Sequence, residues 1–444
     1  MTSPADPRGT VATPPAPDLV GRRNIFLNLF FGRDSSIERA HLRILRLVAL
    51  GIVFENYDIG LVNSALPQIA PDLGISEAQT GYYTGAVRLG GLASLLLIPL
   101  ADIIGRRRVF LLALIGMSLG TFLTAFVQTP WQFVAVQVVT RAFMLTGATV
   151  AVVILVEEFP ASQRGSAIGL LSMLGGLGYG LGALFYAFVE DLPFGWRALY
   201  AAGAAPLLLM PFFRRSLAET RRFERHSAER GARVVTGLRD WLAPFVDLVR
   251  SHPRRAIVVG AAGLFASMAS IAFFQYTSYF VQKMHGWSPG HYTLLLFGAG
   301  ALGVFGNVLG GRGSDRLGRR GVGFVCLALA PLFAFAFFQG PEAALVPAWG
   351  LFVLCMSAGD VIVRAFAAEL FPTGQRGTSS GILIGVQAIG FGSGLLLVGL
   401  GTNWTGDLGR MVSWVAVTAV VAAFALLLLP ETHQQELEEI SPGR

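Results

Sequence analysis

Charged residues interrupt several long apolar stretches of this chain. Because burying a charge in apolar surroundings is costly, such residues indicate a functional site. Glu55 and Asp58 are three residues apart, so a helix would place both carboxyl groups on one face. Arg88 and Arg141 stand inside two further apolar stretches. A carboxylate in a poorly hydrated site either holds a proton or pairs with a guanidinium, and not both equally well. These four residues predict a proton-loading site, although a permanent ion pair would use the same residue types.

The depths of these residues give each one an expected role. Asp58 lies roughly 13 residues, or about 20 Å, into its apolar stretch, near mid-bilayer. It is the first candidate for the proton carrier, and Glu55 is the second. Arg88 has no evident partner in the sequence, so it suits a carboxylate or phosphate group of a solute. A permanent pair between Arg88 and Glu55 is the open alternative.

Uncharged polar residues and one further ion pair complete the candidate cavity. Asp360 and Arg364 are four residues apart and would neutralise each other, which favours a structural or gate role. The three acids and three arginines at depth sum to zero, so protonating one acid favours an anionic or polar solute. Several other side chains could bind hydroxyl groups or ring faces of a solute, or simply pack between helices: Gln275, Tyr276, Tyr279 and Gln387.

The composition indicates that lipid surrounds most of these stretches. The chain has 444 residues, 53% of them hydrophobic and only 14% charged, whereas about a quarter of the residues are charged in soluble domains. The net charge of +7 comes from arginines between apolar stretches, so anionic lipid headgroups are expected partners rather than nucleic acid. Cys326 and Cys355 are interpreted as packing residues, and no metal site is expected.

Twelve stretches are long enough to cross a bilayer, which takes about 20 mostly apolar residues. The predicted spans 1 to 12 are 45–69, 79–101, 109–128, 132–156, 165–188, 197–213, 256–282, 291–311, 322–339, 343–368, 377–400 and 408–430. They form an N-terminal half over 45–213 and a C-terminal half over 256–430. The connecting parts are a disordered N-terminal segment 1–44, a middle loop 214–255 and a tail 431–444.

The arginines and lysines in the loops predict the orientation of the chain. Loops on the side of the termini carry 20 of them, and loops on the opposite side carry roughly three. Because cytoplasmic loops are rich in Arg and Lys, both termini and the middle loop are expected in the cytoplasm.

Two loop motifs occur twice at almost the same offset. ADIIGRRR after span 2 returns as SDRLGRR after span 8, and EEFPASQRG after span 4 returns as ELFPTGQRG after span 10. Two unrelated motifs that share an offset indicate a duplicated six-helix unit. The expected gate residues are those of the two motifs: Asp102, Gly105, Arg106, Arg107, Glu157, Arg164, Asp315, Gly318, Arg319, Arg320, Glu369 and Arg376.

At these motifs the chain resembles the major facilitator superfamily. The E-x-F-P-x-x-x-R-G strings, SLAETRRFE and LPET are similar to its sugar-porter and metabolite/proton-symporter branch. The resemblance implies an all-α membrane protein with twelve transmembrane helices in two pseudo-symmetric halves. It also implies alternating access, with a cytoplasmic gate at the loop motifs. In that branch an Asp like Asp58, within Asn56-Tyr57-Asp58, takes the proton and pairs with an arginine of span 4, here Arg141.

The expected function is therefore secondary transport of a small polar or anionic solute by proton-coupled symport, in the cell membrane, by a monomer. No cofactor besides the coupling proton is expected. An enzyme would need a nucleophile, base or metal constellation, which the sequence lacks. A receptor would need a soluble signalling domain. A proton-coupled drug or metabolite efflux antiporter remains the alternative, although the G-P-x-x-G-G string of such exporters is missing from span 5.

Overall fold

The computed structural model describes residues 38–220, 238–372 and 375–432, and nearly all of them are helical. In the first half the helices are Arg39–Ser64 and Leu66–Asp72 (span 1), Glu77–Gly90, Gly91–Ala93, Ser94–Leu97 and Leu100–Ile104 (span 2), Arg106–Thr124 (span 3), Pro130–Glu158 (span 4), Ala161–Tyr186 (span 5), and Trp196–Ala202, Ala205–Leu208 and Met210–Ser216 (span 6). Span 1 thus begins before the expected residue 45, and most of the N-terminal segment lies outside the described residues.

The second half repeats this order. Its helices are Pro253–His285 (span 7), Pro289–Val308, the π-helical turn Leu309–Gly313 and Ser314–Leu317 (span 8), Arg319–Gln339 (span 9), Glu342–Ala344 and Leu345–Glu369 (span 10), Arg376–Thr405 (span 11), and Leu408–Ala416 and Thr418–Leu427 (span 12). Of the helices in the described residues, ten are long and apolar enough to cross a membrane. Spans 1 and 6 fall outside that criterion.

The two exceptions have different physical causes. Span 1 carries Glu55, Asn56 and Asp58 in its middle, and these polar side chains lower its hydropathy. Span 6 was predicted over 197–213, and in the structure it is divided into three short helices. Pro206 and Pro211 are each the second residue of a new short helix, because proline cannot donate the backbone hydrogen bond that would continue the previous helix.

The middle segment 214–255 is not a loop throughout. It contains the helix Leu238–Ser251, which packs against spans 7 and 11. Leu248 is fully buried and Phe245 lies beside Gly381 of span 11. The arginine-rich composition of the segment led to the prediction of a polar loop, whereas the apolar positions at helical spacing build an amphipathic helix.

The two halves pack together at the end of the bundle where span 1 ends and span 2 begins, here called the outer end. Spans 2 and 11 approach closely because glycines face each other: a Cβ on Gly81 would lie 2.6 Å from the Cα of Gly399. Spans 5 and 8 meet where Thr293 donates to the carbonyl of Ala183 at 2.9 Å. The opposite end, which carries the loop motifs, is called the motif end.

Candidate functional site

The two acids of span 1 and the arginine of span 4 share one buried site. Asp58 is 1% exposed, Arg141 4% and Glu55 5%. Thr121 of span 3 donates to Oδ1 of Asp58 at 2.9 Å. Among the described residues, Oδ2 of Asp58 and both Nε and Nη2 of Arg141 have no hydrogen-bond partner. The charge of Arg141 acts on both carboxyl groups, yet no ion-pair contact joins Asp58 to Arg141 in this conformation.

Glycines of span 5 hold span 1 in this position. A Cβ on Gly178 would collide with the carbonyl oxygen of Val53, so the two helix backbones are in direct contact. Tyr57 donates to the carbonyl of Leu199 at 2.9 Å and so fixes the other side of span 1 to span 6. The Gly-rich string of span 5 therefore permits close helix packing, as predicted.

Arg88 lies at the junction of the two halves. It donates to Oδ1 of Asn63 in span 1 at 2.6 Å and to Oε1 of Gln275 in span 7 at 3.1 Å. Gln275 is fully buried and donates in turn to the carbonyl of Val62 at 3.1 Å. The predicted alternative of a permanent Arg88 pair with Glu55 is not found among the described contacts. The partners of Arg88 are neutral amides, which leave its charge uncompensated by a direct ion pair.

Arg88 and Arg141 are close enough for their charges to act on each other. Neither forms an ion pair within the described part of the chain. Two buried guanidinium groups with free donors and no carboxylate contact form a site that suits a bound anion. With all four groups ionised, the two neighbouring acids of span 1 balance the charges of the two arginines.

The other predicted cavity residues are distributed differently. The hydroxyl of Tyr276 lies 3.2 Å from Oγ1 of Thr80 in span 2, at the contact between the halves. Tyr279 is 8% exposed and makes no hydrogen bond among the described residues. Tyr276 and Tyr279 therefore pack near the outer end. Gln387 lies in the second half, in a separate pocket.

That pocket is a cavity of about 240 Å³ in the second half, here called the span-10 pocket. Nε of Arg364 lies 2.7 Å from Oδ2 of Asp360, so the predicted pair does form. Nε2 of Gln387 donates to Oδ1 of Asp360 at 3.1 Å. Its remaining polar and aromatic walls include Ser267, Ser270, Phe274, Asn307 and Phe391.

Four side chains of the first site are not among the residues predicted from the sequence. Asn63 binds Arg88 and Thr121 binds Asp58. Tyr179 lies beside Asn63 and Arg88. Tyr200 is fully buried near Asp58, and its hydroxyl has no hydrogen-bond partner among the described residues. All four are polar side chains within apolar spans, and this feature of the sequence could have identified them.

At the motif end of the first half, Arg106 joins three segments. Its Nη2 lies 2.7 Å from Oδ1 of Asp102 and 3.0 Å from Oε1 of Glu157. The hydroxyl of Thr220, after span 6, donates to Oε2 of Glu157 at 2.6 Å. Glu219 accepts the backbone N–H of Arg107 at 3.1 Å, so its carboxylate caps the start of span 3.

The second half repeats this network residue by residue. Arg319 pairs with Asp315 at 2.8 Å and with Glu369, and Thr432 donates to Glu369 at 2.8 Å. Glu431 accepts the backbone N–H groups of Arg319 and Arg320 at 2.9 and 3.0 Å. The described contacts of each network lie within its own half.

The Glu-Thr pairs were not predicted as members of these networks, although their repetition in the sequence could have identified them. Glu219-Thr220 and Glu431-Thr432 recur at the same offset as the span-4 and span-10 motifs. Arg107 and Arg320 donate to the equivalent carbonyls of Arg214 and Leu427.

Two other motif positions differ in what they contribute. Gly105 and Gly318 have φ of 108° and 95°, a region that is open to glycine and strained for other residues. Arg164 donates to the carbonyl of Phe159 at 3.0 Å and makes no described contact with Glu157. The side chain of Arg376 lies outside the described part.

At the outer end, residues related by the duplication contact each other. Gln68 donates to Oε1 of Gln282 at 3.0 Å, and Ser278 donates to the carbonyl of Ser64 at 2.6 Å. Tyr186 donates to Oε1 of Gln68 at 2.8 Å. The pseudo-twofold axis therefore passes between spans 1 and 7 at this end. The Gln68–Gln282 and Ser278–Ser64 hydrogen bonds hold the two halves together there.

These features define a multi-pass membrane transporter built from two six-helix halves. The Major Facilitator Superfamily model matches residues 48–359 and 304–442. The chain therefore belongs to the major facilitator superfamily, a family of transport proteins.

Individual similarities agree with this membership. The chain is 26% identical to a gallate transporter of Pseudomonas putida, over 86% of this chain and 90% of the relative. It is 22% identical to a gentisate transporter of Corynebacterium glutamicum, over 89% and 91%. A crystal structure of a D-xylose-proton symporter superposes with a TM-score of 0.72 at 16% identity, over 89% of this chain and 99% of that one. The likeness to that structure shows the twelve-helix fold.

Proposed function

We propose that this protein is a proton-coupled symporter that brings a small organic carboxylate into the cytoplasm. The observation that carries the proposal is the buried site of Asp58, Glu55 and Arg141. Two nitrogens of Arg141 and one oxygen of Asp58 lack hydrogen-bond partners among the described residues, with Arg88 close by. A solute carboxylate would bind the arginines, and a proton would bind an acid of span 1.

The charge of the site couples the two ligands. With both acids and both arginines ionised, the site is neutral. A proton alone makes it positive, and a carboxylate alone makes it negative. Both together restore neutrality. Because an uncompensated charge is costly to carry through a membrane-embedded site, the halves would move readily only when the site is empty or carries both ligands. This restriction is the coupling, with one proton per monocarboxylate.

The conformation described here is the inward-facing state in this proposal. The outer end is closed by hydrogen bonds of Gln282 to Gln68 and Tyr186, whereas the described contacts of the motif-end networks each lie within one half. Arginine-rich loops place the motif end in the cytoplasm. Exposed ion pairs stabilise weakly, so the two networks would act as units that bias the gate.

The substrate class follows from the site and from the relatives. A site with two buried arginines that form no ion pair within the described residues suits a monocarboxylate. Gallate and gentisate, which name the two relatives, are hydroxylated benzoates. The structural neighbour named as a proton symporter supports the proton as coupling ion. The arginine-rich loops favour a protein of the cell membrane with cytoplasmic termini, and a monomer would suffice for the proposed site.

Proteoliposomes with a pH-sensitive dye in the lumen test this proposal. Adding benzoate or a hydroxybenzoate outside is expected to acidify the lumen faster than in protein-free vesicles. The protein-free control is essential because protonated weak acids cross bilayers unaided. Xylose, a neutral solute, should give no proton movement. Proton movement with xylose and none with carboxylates would show that the proposed substrate class is wrong.

A further inference from the structure

The span-10 pocket is a second polar cavity that the coupling mechanism does not use. Its central carboxylate, Asp360, is held from two helices: Arg364 of span 10 and Gln387 of span 11 each bind one oxygen. A helix alone would produce the Asp360–Arg364 pair, since the residues are one turn apart. It would not add Gln387 from a neighbouring helix. Both charged side chains line the cavity and are about half exposed, at 44% and 55%.

The pocket can both accept hydrogen bonds from a small ligand and donate hydrogen bonds to it. Each oxygen of Asp360 accepts one described hydrogen bond, and a carboxylate has about four lone-pair sites in total, so acceptor capacity remains. Arg364 uses only Nε toward Asp360, and its two terminal nitrogens have no partner among the described residues. Phe274 and Phe391 line the same cavity and supply aromatic walls. A hydroxyl group on an aromatic ring can donate and accept at once, which fits this arrangement.

The pocket is next to the arginine site. Phe274 immediately precedes Gln275, which binds Arg88. Phe391 immediately precedes Gly392, which packs directly against Leu89, the neighbour of Arg88. The pocket and the arginine site are therefore built from neighbouring residues of spans 7 and 11.

We propose that the span-10 pocket recognises the ring hydroxyl groups of the solute. Asp360 accepts their hydrogen bonds, and Arg364 and Gln387 orient the Asp360 carboxylate. The substrate class is thereby narrowed to hydroxylated aromatic carboxylates. The inference rests on the proposed function, because it takes the carboxylate of the same solute to be held by Arg88 and Arg141.

Competition in solute counterflow tests the inference. Proteoliposomes loaded with unlabelled 4-hydroxybenzoate take up the labelled compound, while external benzoate, 4-hydroxybenzoate or 3,4-dihydroxybenzoate competes. The wild type is expected to bind the hydroxylated acids more tightly than benzoate. Asp360→Asn should reduce that selectivity ratio about tenfold, since a hydrogen bond to a charged acceptor is replaced by a weaker one. Asp407→Asn, at the outer surface, serves as the matched acid-to-amide control.

A milder variant keeps the test informative if Asp360→Asn fails to fold. Gln387→Leu leaves the Asp360–Arg364 pair in place and should reduce the ratio about threefold. If either folded variant weakens benzoate and the hydroxylated acids equally, the pocket is structural and the inference is overturned. If the wild type recognises no aromatic carboxylate at all, the proposed function itself fails. The two failures are therefore distinguishable.

Discussion

The two halves of this transporter share their motif ends and differ in their interiors. The loop network recurs from Asp102, Arg106 and Glu157 to their equivalents in the second half. The buried charges do not recur. At the offsets of the loop motifs, Val353 is the equivalent of Arg141, and Ala301 is the equivalent of Arg88. Duplication has therefore kept the groups that build and cap the helices, and only one half carries the proposed coupling site.

This difference distinguishes the residues that the fold requires in each half from the residues that coupling requires once. Each half needs a tight turn between its second and third helices and a carboxylate at the start of the third, so both copies keep a glycine and a Glu-Thr pair. One proton per solute needs one charged site, and a second copy would add buried charge at a cost. Matched substitutions in the two halves can test whether this division is correct.

The largest effect is expected at Arg141, whose equivalent is the apolar Val353. Arg141→Gln should weaken carboxylate binding by at least about thirtyfold, because truncating one side of a buried charged contact costs about 2 kcal/mol or more. Isothermal titration with 4-hydroxybenzoate measures the change. Arg312→Gln, which removes an exposed arginine of the second half, is the control. Equal weakening by both variants would contradict a specific anion site.

The turn glycines should show equal effects in the two halves. Gly105→Ala and Gly318→Ala each force a side chain into a positive-φ turn, which costs about 1–2 kcal/mol. Thermal unfolding in detergent should show similar losses of stability for both variants. A loss confined to one of them would show that the two turns are not equivalent.

The network acids should behave as a second matched pair. Glu157→Gln and Glu369→Gln each weaken an arginine contact and a threonine hydrogen bond, with an expected cost of about 1 kcal/mol. Alkylation rates of single cysteines placed at the motif end report how the inward-facing population changes. We expect both variants to shift it in the same direction. Opposite shifts would contradict a shared gating role.

The smallest effect is expected on the pseudo-twofold axis at the outer end. Gln68→Ala and Gln282→Ala each remove their shared hydrogen bond, worth about 0.5–1.5 kcal/mol, together with one hydrogen bond to Tyr186. Outward opening, measured by the accessibility of a cysteine near this end, should rise similarly for both. The double variant should add little, because the two side chains act as a pair. Additive effects would show that the amides act independently.

Much of this arrangement could be predicted from the sequence because membrane helices leave strong signals. Hydropathy predicted the spans, the repeated motifs indicated the two halves, and charges at depth pointed to Asp58 and Arg141. The breaks at Pro206 and Pro211 were missed because hydropathy does not register hydrogen-bond geometry. Asn63 was missed for another reason: its contact with Arg88 depends on how spans 1 and 2 pack, which no local pattern contains.

The most direct test of the central account compares two transport modes of Asp58→Asn in proteoliposomes. The account predicts that accumulation of 4-hydroxybenzoate driven by a proton gradient is lost, whereas exchange of internal for external solute continues, since exchange needs no net proton movement. Glu190→Gln, an exposed acid at the outer end, should retain both modes. Gradient-driven accumulation by Asp58→Asn at the wild-type level would contradict the assignment of the proton to Asp58.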